Sequence, residues 1–376
     1  MAKVYRRVRA REGKPDLVTY EARWREPDGR QRKRSFKKKS DADRYLTSIE
    51  SSLLTGGYVD PSRSRVTVGS YSEQWMAGRT RLKPKTLVSY RSLLDNRVLP
   101  RWADVRLDRI TYEDVAAWVS DMASTASPST TRQAYHLLTS MLDEAVKGRR
   151  LPSNPASGVE LPRLPRVHKR YLSHEQVGRL TEECGDEGVV VLMLAYTGIR
   201  WGELAAIRVD RVAPGARRVH IAEAMSEVNG RAVFGPPKTH ADRWVAVPRF
   251  LQERIGALMA SKSPNDLLFT SPRGEVLRVH GFRRRSFDRA ATAVGLSGLV
   301  PHELRHTAAS LAIASGANVK AVQSMLGHAS AAMTLDRYSH LFDDALDAVA
   351  DRLDEARQRT VVPPSCPQDV VVPLAR

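Results

Sequence analysis

At 376 residues the chain is long enough for two or three domains. Its formal net charge of +18 and pI near 10.2 point to a polyanionic partner, and its longest apolar run, residues 189–196, is too short to span a membrane. Cys184 and Cys366 make no C-x-x-C, and residues 1–11 are charged rather than apolar, so neither a disulfide framework, a zinc site nor a secretory signal is expected and a reducing cytoplasm fits.

Residues 1–40 hold 15 Lys or Arg against 5 Asp or Glu, a balance of +10. The pattern predicts three short strands, over residues 3–9, 18–25 and 31–36. The second alternates, with Tyr20, Ala22 and Trp24 on one face and Glu21, Arg23 and Arg25 on the other. Pro27-Asp28-Gly29 is turn chemistry between the second and third strands. Ser40 caps a helix running to residue 54, with Asp41 and Asp43 in its first turn and Gly56-Gly57 stopping it. A basic sheet of this kind can read a DNA groove. Arg23, Arg25, Lys33 and Arg34 are its candidate DNA contacts.

After a polar linker, residues 66–155 predict a bundle of four helices, over 68–76, 85–98, 111–122 and 129–146, each with apolar residues at helical spacing. Thr111 caps the third, with Asp114 at the capping-box position. Lys83, Lys85, Arg91 and Arg132 are the candidate phosphate contacts of this bundle. Pro152, Pro155, Pro162 and Pro165 then forbid a continuous helix, and residues 156–170 predict an extended basic linker.

The third domain, residues 171–358, opens with a helix capped by Ser173 and Gln176, followed by a buried helix over 189–196. Residues 217–222, 231–234 and 243–247 predict three strands, with Pro236-Pro237-Lys238-Thr239 in the turn before the last. Helices follow over 249–259 and 280–294. Pro301 suits the first turn of a helix, on which His302 and Arg305 would share one face at a terminus fitted to anions. Gly316 with Asn318 interrupts that helix, Gly327 ends the next just before His328, and Tyr338 comes ten residues later. A last helix over 342–357 carries a stripe of Phe342, Leu346, Val349 and Leu353, and residues 359–376 predict a disordered tail. The predicted fold class is mixed α/β, mostly α.

Taken singly, H-x-x-R, L-G-H or a tyrosine in this region is most often a solvated face, a helix cap or half-buried core. Their order and spacing together resemble the C-terminal signature of the tyrosine recombinases, the phage integrase family. T-G-I-R-W-G-E-L at residues 197–204 resembles that family's first-arginine motif. The resemblance implies an arm-site-binding sheet-plus-helix domain over 1–62, an all-α core-binding domain over 66–155, a linker that lets two domains close around DNA, and a mainly α catalytic domain with a small antiparallel sheet. It implies that Arg200, Lys238, His302, Arg305, His328 and Tyr338 are catalytic and that Glu203 supports them. Lys238 is the match for a catalytic lysine in a β-hairpin turn.

The chemistry of those residue types agrees. Cutting a phosphodiester without metal needs cations on the non-bridging oxygens, a nucleophile and a general acid. Arginine forks supply the first, histidines add hydrogen bonds or shuttle protons, a tyrosine leaves a covalent intermediate, and a lysine can protonate the departing oxygen. With no P-loop and no metal-ligand spacing, neither cofactor nor metal is expected. The implied function is site-specific integration and excision of a phage or mobile element through a 3′-phosphotyrosine and a Holliday junction. The implied partners are double-stranded attachment-site DNA, three further copies in a tetramer, an excision factor and a host DNA-bending protein. Two other readings fit parts of the sequence, a type IB topoisomerase-like nicking and resealing enzyme and a non-enzymatic DNA-binding regulator.

Overall fold

The computed structural model describes residues 2–11, 14–26, 29–54, 58–59, 63–165, 170–237, 242–339 and 345–360. It divides into two compact units, Met1–Arg166 and Val167–Arg376.

The first unit opens with an antiparallel sheet in the order β1 (Lys3–Arg11), β2 (Lys14–Arg25), β3 (Gln31–Phe36). Its register sets Val4, Ala22 and Arg34 abreast, and Tyr5, Glu21 and Ser35 abreast on the opposite face. Ala22 and Trp24 are buried against Ala42, Leu46 and Ile49 of α1 (Lys39–Leu54). Trp24 Nε1 donates to the Tyr58 hydroxyl at 3.0 Å, which donates to Glu26 at 2.9 Å, so the polar edge of this small core is satisfied. The Pro27-Asp28 pair of the predicted turn and the Gly56-Gly57 stop lie outside the described residues.

The rest of this unit is a helical bundle of α2 (Val68–Ala77), α3 (Pro84–Leu93), α4 (Leu99–Trp102), α5 (Tyr112–Thr125) and α6 (Pro128–Lys147). Side-chain oxygens of Thr67, Thr111 and Ser127 cap α2, α5 and α6 by accepting from the backbone three residues on. The sequence predicts one helix over 85–98. The structure starts it at Pro84, widens it to a π turn over Leu94–Val98, and resumes it as α4. Pro100, which brings no N–H to the ladder, stands just beyond that turn. Trp102, Leu94, Leu138 and Met141 fill the bundle's centre.

The predicted linker is shorter than residues 156–170. Ala156 and Val159 are buried in the bundle core, Leu161 packs against it, and the Tyr135 hydroxyl donates to the Ala156 carbonyl at 2.6 Å. Prolines stop a helix here, but they do not stop apolar side chains from docking. At the other end Arg170 donates to the Ser297 carbonyl at 2.8 Å and so belongs to the second unit. Residues 166–169 lie outside the described residues, as does the predicted tail from 361.

In the second unit α7 (His174–Glu183) starts with the full Ser173–Gln176 capping box. α8 (Gly188–Thr197) is apolar all round and is the buried centre of this unit. The short α9 (Trp201–Leu204) follows. β4 (Arg218–Ile221) pairs with β7 (Arg243–Ala246), and between them β5 (Ala224–Val228) pairs with β6 (Arg231–Gly235). The three predicted strands are present, but the sequence pattern omits β5, whose A-M-S-E-V lacks the β-branched alternation of its partners. The Asn229-Gly230 turn, both residues at positive φ (48° and 73°), joins β5 to β6 as a tight hairpin. Among the described residues, then, β6 and β7, the strands on either side of Lys238, pair with β5 and β4 respectively.

α10 (Arg249–Met259) matches its predicted extent. The helix predicted over 280–294 is α11 (Val279–Phe282), a π turn over Arg283–Phe287, and α12 (Asp288–Ala293). α13 (Glu303–Ala314), α14 (Val319–Leu326), α15 (Ala331–Tyr338) and α16 (Ala345–Thr360) complete the chain, and α13 lies along α8. No helix of the described residues is long and apolar enough to cross a membrane.

Candidate active site

The site forms where four chain segments end near one another. α8 stops at Gly198, which turns left-handed at φ +64°, and a Cβ there would stand 2.6 Å from Leu326 Cδ2. Only glycine lets this corner meet α14. α14 stops at Gly327, also left-handed at φ +63°, where a Cβ would stand 2.8 Å from the Arg243 guanidinium. Both turns expose carbonyl oxygens that no helical N–H can satisfy. Arg305, buried on α13, donates from Nη1 to the Gly198 carbonyl and from Nη2 to the Leu326 carbonyl at 2.6 Å. Arg200 donates from Nη2 to the Gly327 carbonyl at 3.4 Å. The T-G-I-R, H-E-L-R and L-G-H stretches are thus joined by arginine–carbonyl bonds.

Glu203, 1% exposed, lies beneath the arginines. Its carboxylate accepts from the Arg200 backbone N–H at 3.0 Å and Nη1 at 2.8 Å, and from Arg243 Nη2 at 2.7 Å. Burial alone would raise this carboxyl, but the bonds and charges of Arg243 and then Arg200 hold it below the usual carboxylate range. Arg243 on β7 is a member of the cluster that the sequence reading lacks. Nothing local marks it, because an arginine in a short strand is ordinarily solvated, and only the fold carries it to Glu203.

His302 does not sit inside a helix as predicted. It is the N-cap of α13, and Pro301 lies in the turn before it, closed by the Glu303 N–H donating to the Val300 carbonyl at 2.9 Å. Burial and then the charges of Arg305, Arg337 and Arg200 lower its pKa; as the side chain is exposed, the charges carry more of the weight. His328 is buried, with Nδ1 2.9 Å from the Thr334 hydroxyl. Burial first, then Arg305 and Arg200, push it down to about 4, so the ring is neutral at neutral pH. Arg305 is pushed down to about 9 by burial and by Arg200, and stays charged. Tyr338 ends α15, only 1% exposed, its hydroxyl 2.7 Å from Nδ1 of His306. Lys238 lies outside the described residues, between Pro237 and Asp242 on the segment from β6 to β7.

Three guanidiniums and one carboxylate leave the site with excess positive charge, which suits a phosphodiester. The lowered His328 pKa has a consequence for stability. Its folded value, about 4, lies below the ordinary 6.5. Between the two the unfolded chain binds the proton and the folded chain does not, so this contribution is present above pH 6.5 and is lost as pH falls toward 4. The unfolding free energy of the chain relative to His328→Gln should drop by about 3 kcal/mol over that window, at about 1.4 kcal/mol per pH unit. Urea titrations of both proteins across the window check this; parallel pH dependences would contradict it.

The candidate DNA contacts fare unevenly. Arg23 and Lys33 share the open face of the N-terminal sheet with a buried Glu21, Arg23 Nε donating to it at 2.6 Å and Lys33 Nζ standing in an ion pair at 4.0 Å. Alternation places Glu21 outward, and it is the basic side chains of Arg7, Arg23 and Lys33 that cover it. Arg25 is exposed on the same face. Arg34 lies on the other face, its guanidinium over the rings of Phe36 and Tyr45 at 5.3 and 4.7 Å. In the bundle, Lys83 is the N-cap of α3 and Lys85 is exposed in its first turn. Arg91 forms a fork with Glu73 at 2.5 and 2.9 Å, and Arg132 donates to the Pro162 carbonyl at 3.3 Å, so both already serve intramolecular partners.

Known proteins resemble this chain in sequence and in fold. Residues 170–344 match the phage integrase family and residues 67–123 match the phage integrase N-terminal SAM-like domain. A putative prophage phiRv2 integrase of Mycobacterium tuberculosis is 30% identical over 336 residues, covering 85% of this chain and 88% of that one. The integrase of Mycobacterium phage D29 is 28% identical over 326 residues, 80% of this chain and 84% of its own. Among solved structures, the Tn1549 transposon integrase in complex with transposon right end DNA superposes with a TM-score of 0.66 at 20% identity, over 77% of this chain and 100% of that one. The chain belongs to the phage integrase family. It is a tyrosine-type site-specific recombinase, an enzyme that breaks and rejoins DNA strands.

Proposed function

We propose that this recombinase integrates and excises a phage or other mobile element, with Tyr338 as the nucleophile of a 3′-phosphotyrosine intermediate. The observation that carries the proposal is the joining of the Gly198, Leu326 and Gly327 carbonyls by Arg305 and Arg200, with Tyr338 on the helix that follows. Arg200 and Arg305 retain N–H donors for the non-bridging oxygens of a phosphate. Glu203 orients Arg200 through a fixed carboxylate. His328, neutral, and His302 add hydrogen bonds. Tyr338 attacks phosphorus, the 5′ oxygen departs, and Lys238 gives that oxygen its proton. The phosphotyrosine conserves the bond, so a 5′ hydroxyl from a second strand reseals it.

Strand exchange then runs in pairs through a Holliday junction within a homotetramer on attachment-site DNA in the cytoplasm. An excision factor and a host bending protein set its direction. The basic N-terminal sheet binds arm-type sites with Arg23, Arg25 and Lys33, while Lys83 and Lys85 contact core-site phosphates. The stripe expected over residues 342–357, of which Phe342 lies outside the described residues and Leu353 on α16 is 67% exposed, packs on a neighbouring protomer. Two solved relatives with the same fold are described as a lambda integrase dimer bound to a core site and a lambda integrase tetramer bound to a Holliday junction.

The experiment is recombination between two attachment sites on one plasmid, with the full chain and host extract. Exchange of flanking markers is expected. Relaxation of supercoils without exchange would favour the topoisomerase reading, and binding with neither would favour the regulator.

A further inference from the structure

His306 follows Arg305 in the H-E-L-R-H stretch and has no part in the chemistry above. It is buried on α13, its Nδ1 2.7 Å from the Tyr338 hydroxyl oxygen. Ala309, Ile313, Val322 and Leu326 form an apolar wall around Tyr338, and the His302 ring stands edge-on to His306 with centroids 5.5 Å apart. A phenol is protonated at neutral pH. Burial raises the Tyr338 pKa further, against the charges of Arg305 and Arg337. Attack on phosphorus therefore needs a proton acceptor within hydrogen-bond reach of that oxygen. Arg200, Arg243, Arg305 and Arg337 are donors with no lone pair to offer. The His328 Nδ1 is engaged with Thr334. Among the described imidazoles, His306 is the one in hydrogen-bond contact with the reacting oxygen.

We propose that His306 is a catalytic residue, the proton acceptor for Tyr338 in strand cleavage and the proton donor in resealing. The inference rests on Tyr338 being the nucleophile. The neutral ring carries its proton on Nε2 and offers the Nδ1 lone pair to the phenol. As the Tyr338 Oη–P bond forms and the P–O5′ bond breaks, the phenolic proton passes to Nδ1 and leaves an imidazolium. The departing oxygen takes its proton from a separate acid. In resealing, the 5′ hydroxyl attacks and gives its proton to the conjugate base of that separate acid, the new P–O5′ bond forms as the P–Oη bond breaks, and Nδ1 returns its proton to the phenolate oxygen.

The test is single-turnover formation of the covalent adduct by the full chain, on a nicked DNA that prevents resealing, across a range of pH. Asparagine at 306 can accept the phenol's hydrogen bond but cannot take its proton, and His306→Gln repeats the comparison with a longer acceptor. Both variants should bind DNA like the parent in gel shifts and form adduct about 10²–10⁴-fold more slowly. The parent's rate should rise with pH as the imidazole loses its proton, and that rise should vanish in both variants. The other charged or titratable groups facing this pair, His302, Arg305, Arg337 and Tyr171, are unchanged in them. Adduct formation by His306→Asn within a few-fold of the parent, with the same pH profile, would overturn the proposal and reduce His306 to a positioning residue. Adduct surviving in Tyr338→Phe would instead overturn the assignment of the nucleophile, whatever His306 variants do.

Discussion

Lys238→Ala should cleave ordinary DNA about 10²–10⁴-fold more slowly than the parent and should cleave DNA with sulfur at the bridging 5′ position at nearly the parent's rate. An alkoxide is a poor leaving group and needs a proton as it departs; a thiolate does not. The described part of the site is short of acids for that task. His328 is pushed down to about 4 and is neutral at neutral pH, and His302 is lowered by burial and by the charges around it. The arginines serve as fixed charged donors to carbonyl and carboxylate oxygens rather than as acids. Lys238, on the segment from β6 to β7, is the remaining candidate from the sequence. Pro236-Pro237-Lys238-Thr239 is turn chemistry in the sequence, where a lysine ordinarily contributes little to stability, so Lys238→Ala should melt with the parent. Single-turnover cleavage of the two DNAs decides the matter: equal defects on both would mean that Lys238 positions the phosphate and that the acid is elsewhere.

Arg305→Lys should fail differently, losing both rate and stability with no rescue by the sulfur substrate. Lysine keeps the charge but not the fork. One ammonium cannot reach the Gly198 and Leu326 carbonyls together as the two Nη atoms of Arg305 do. A buried acceptor left without a donor costs about 1–3 kcal/mol, and loss of one transition-state donor typically costs about 10²–10³ in rate. Because Arg305 acts on non-bridging oxygens, a better leaving group does not compensate. Urea unfolding and cleavage of both DNAs measure the two losses. Full rescue by sulfur would place Arg305 on the leaving oxygen instead.

The helices were legible because periodic apolar residues and cap residues are local signals. Ser173 with Gln176, Asn318 before α14 and Gly327 after it all stand where the sequence places them. The π turns in α3–α4 and α11–α12 were not legible, since a widened turn keeps nearly the same apolar spacing. β5 was missed because its residues are weak strand formers, although Asn229-Gly230 beside it is a hairpin signal in its own right. Prolines argue for an extended linker, whereas the burial of Ala156, Val159 and Leu161 depends on the bundle being there to receive them.

The candidate site was legible as an ordered set of motifs, because those glycines, arginines and histidines must stand next to particular chain turns. What remained hidden were the residues whose parts come only from tertiary neighbours. Arg243 acquires its place through Glu203, and His306 through the Tyr338 hydroxyl. Arg34 and Arg91 show the converse. Each is basic and in a suitable segment, yet one stacks on Phe36 and Tyr45 and the other forks onto Glu73. Positive charge on a helix or strand says where phosphate could be held, and only the side chain's own partners say whether the charge is available.

The most direct measurement is the identity of the covalent link. The full chain is incubated with a nicked core-site DNA, the trapped complex is digested with protease and nuclease, and the nucleotide-bearing peptide is sequenced by mass spectrometry. A single modified residue is expected, Tyr338, joined to the 3′ phosphate of the cleaved strand, with no such peptide from Tyr338→Phe. Attachment through a 5′ phosphate, or through any residue other than Tyr338, would contradict it.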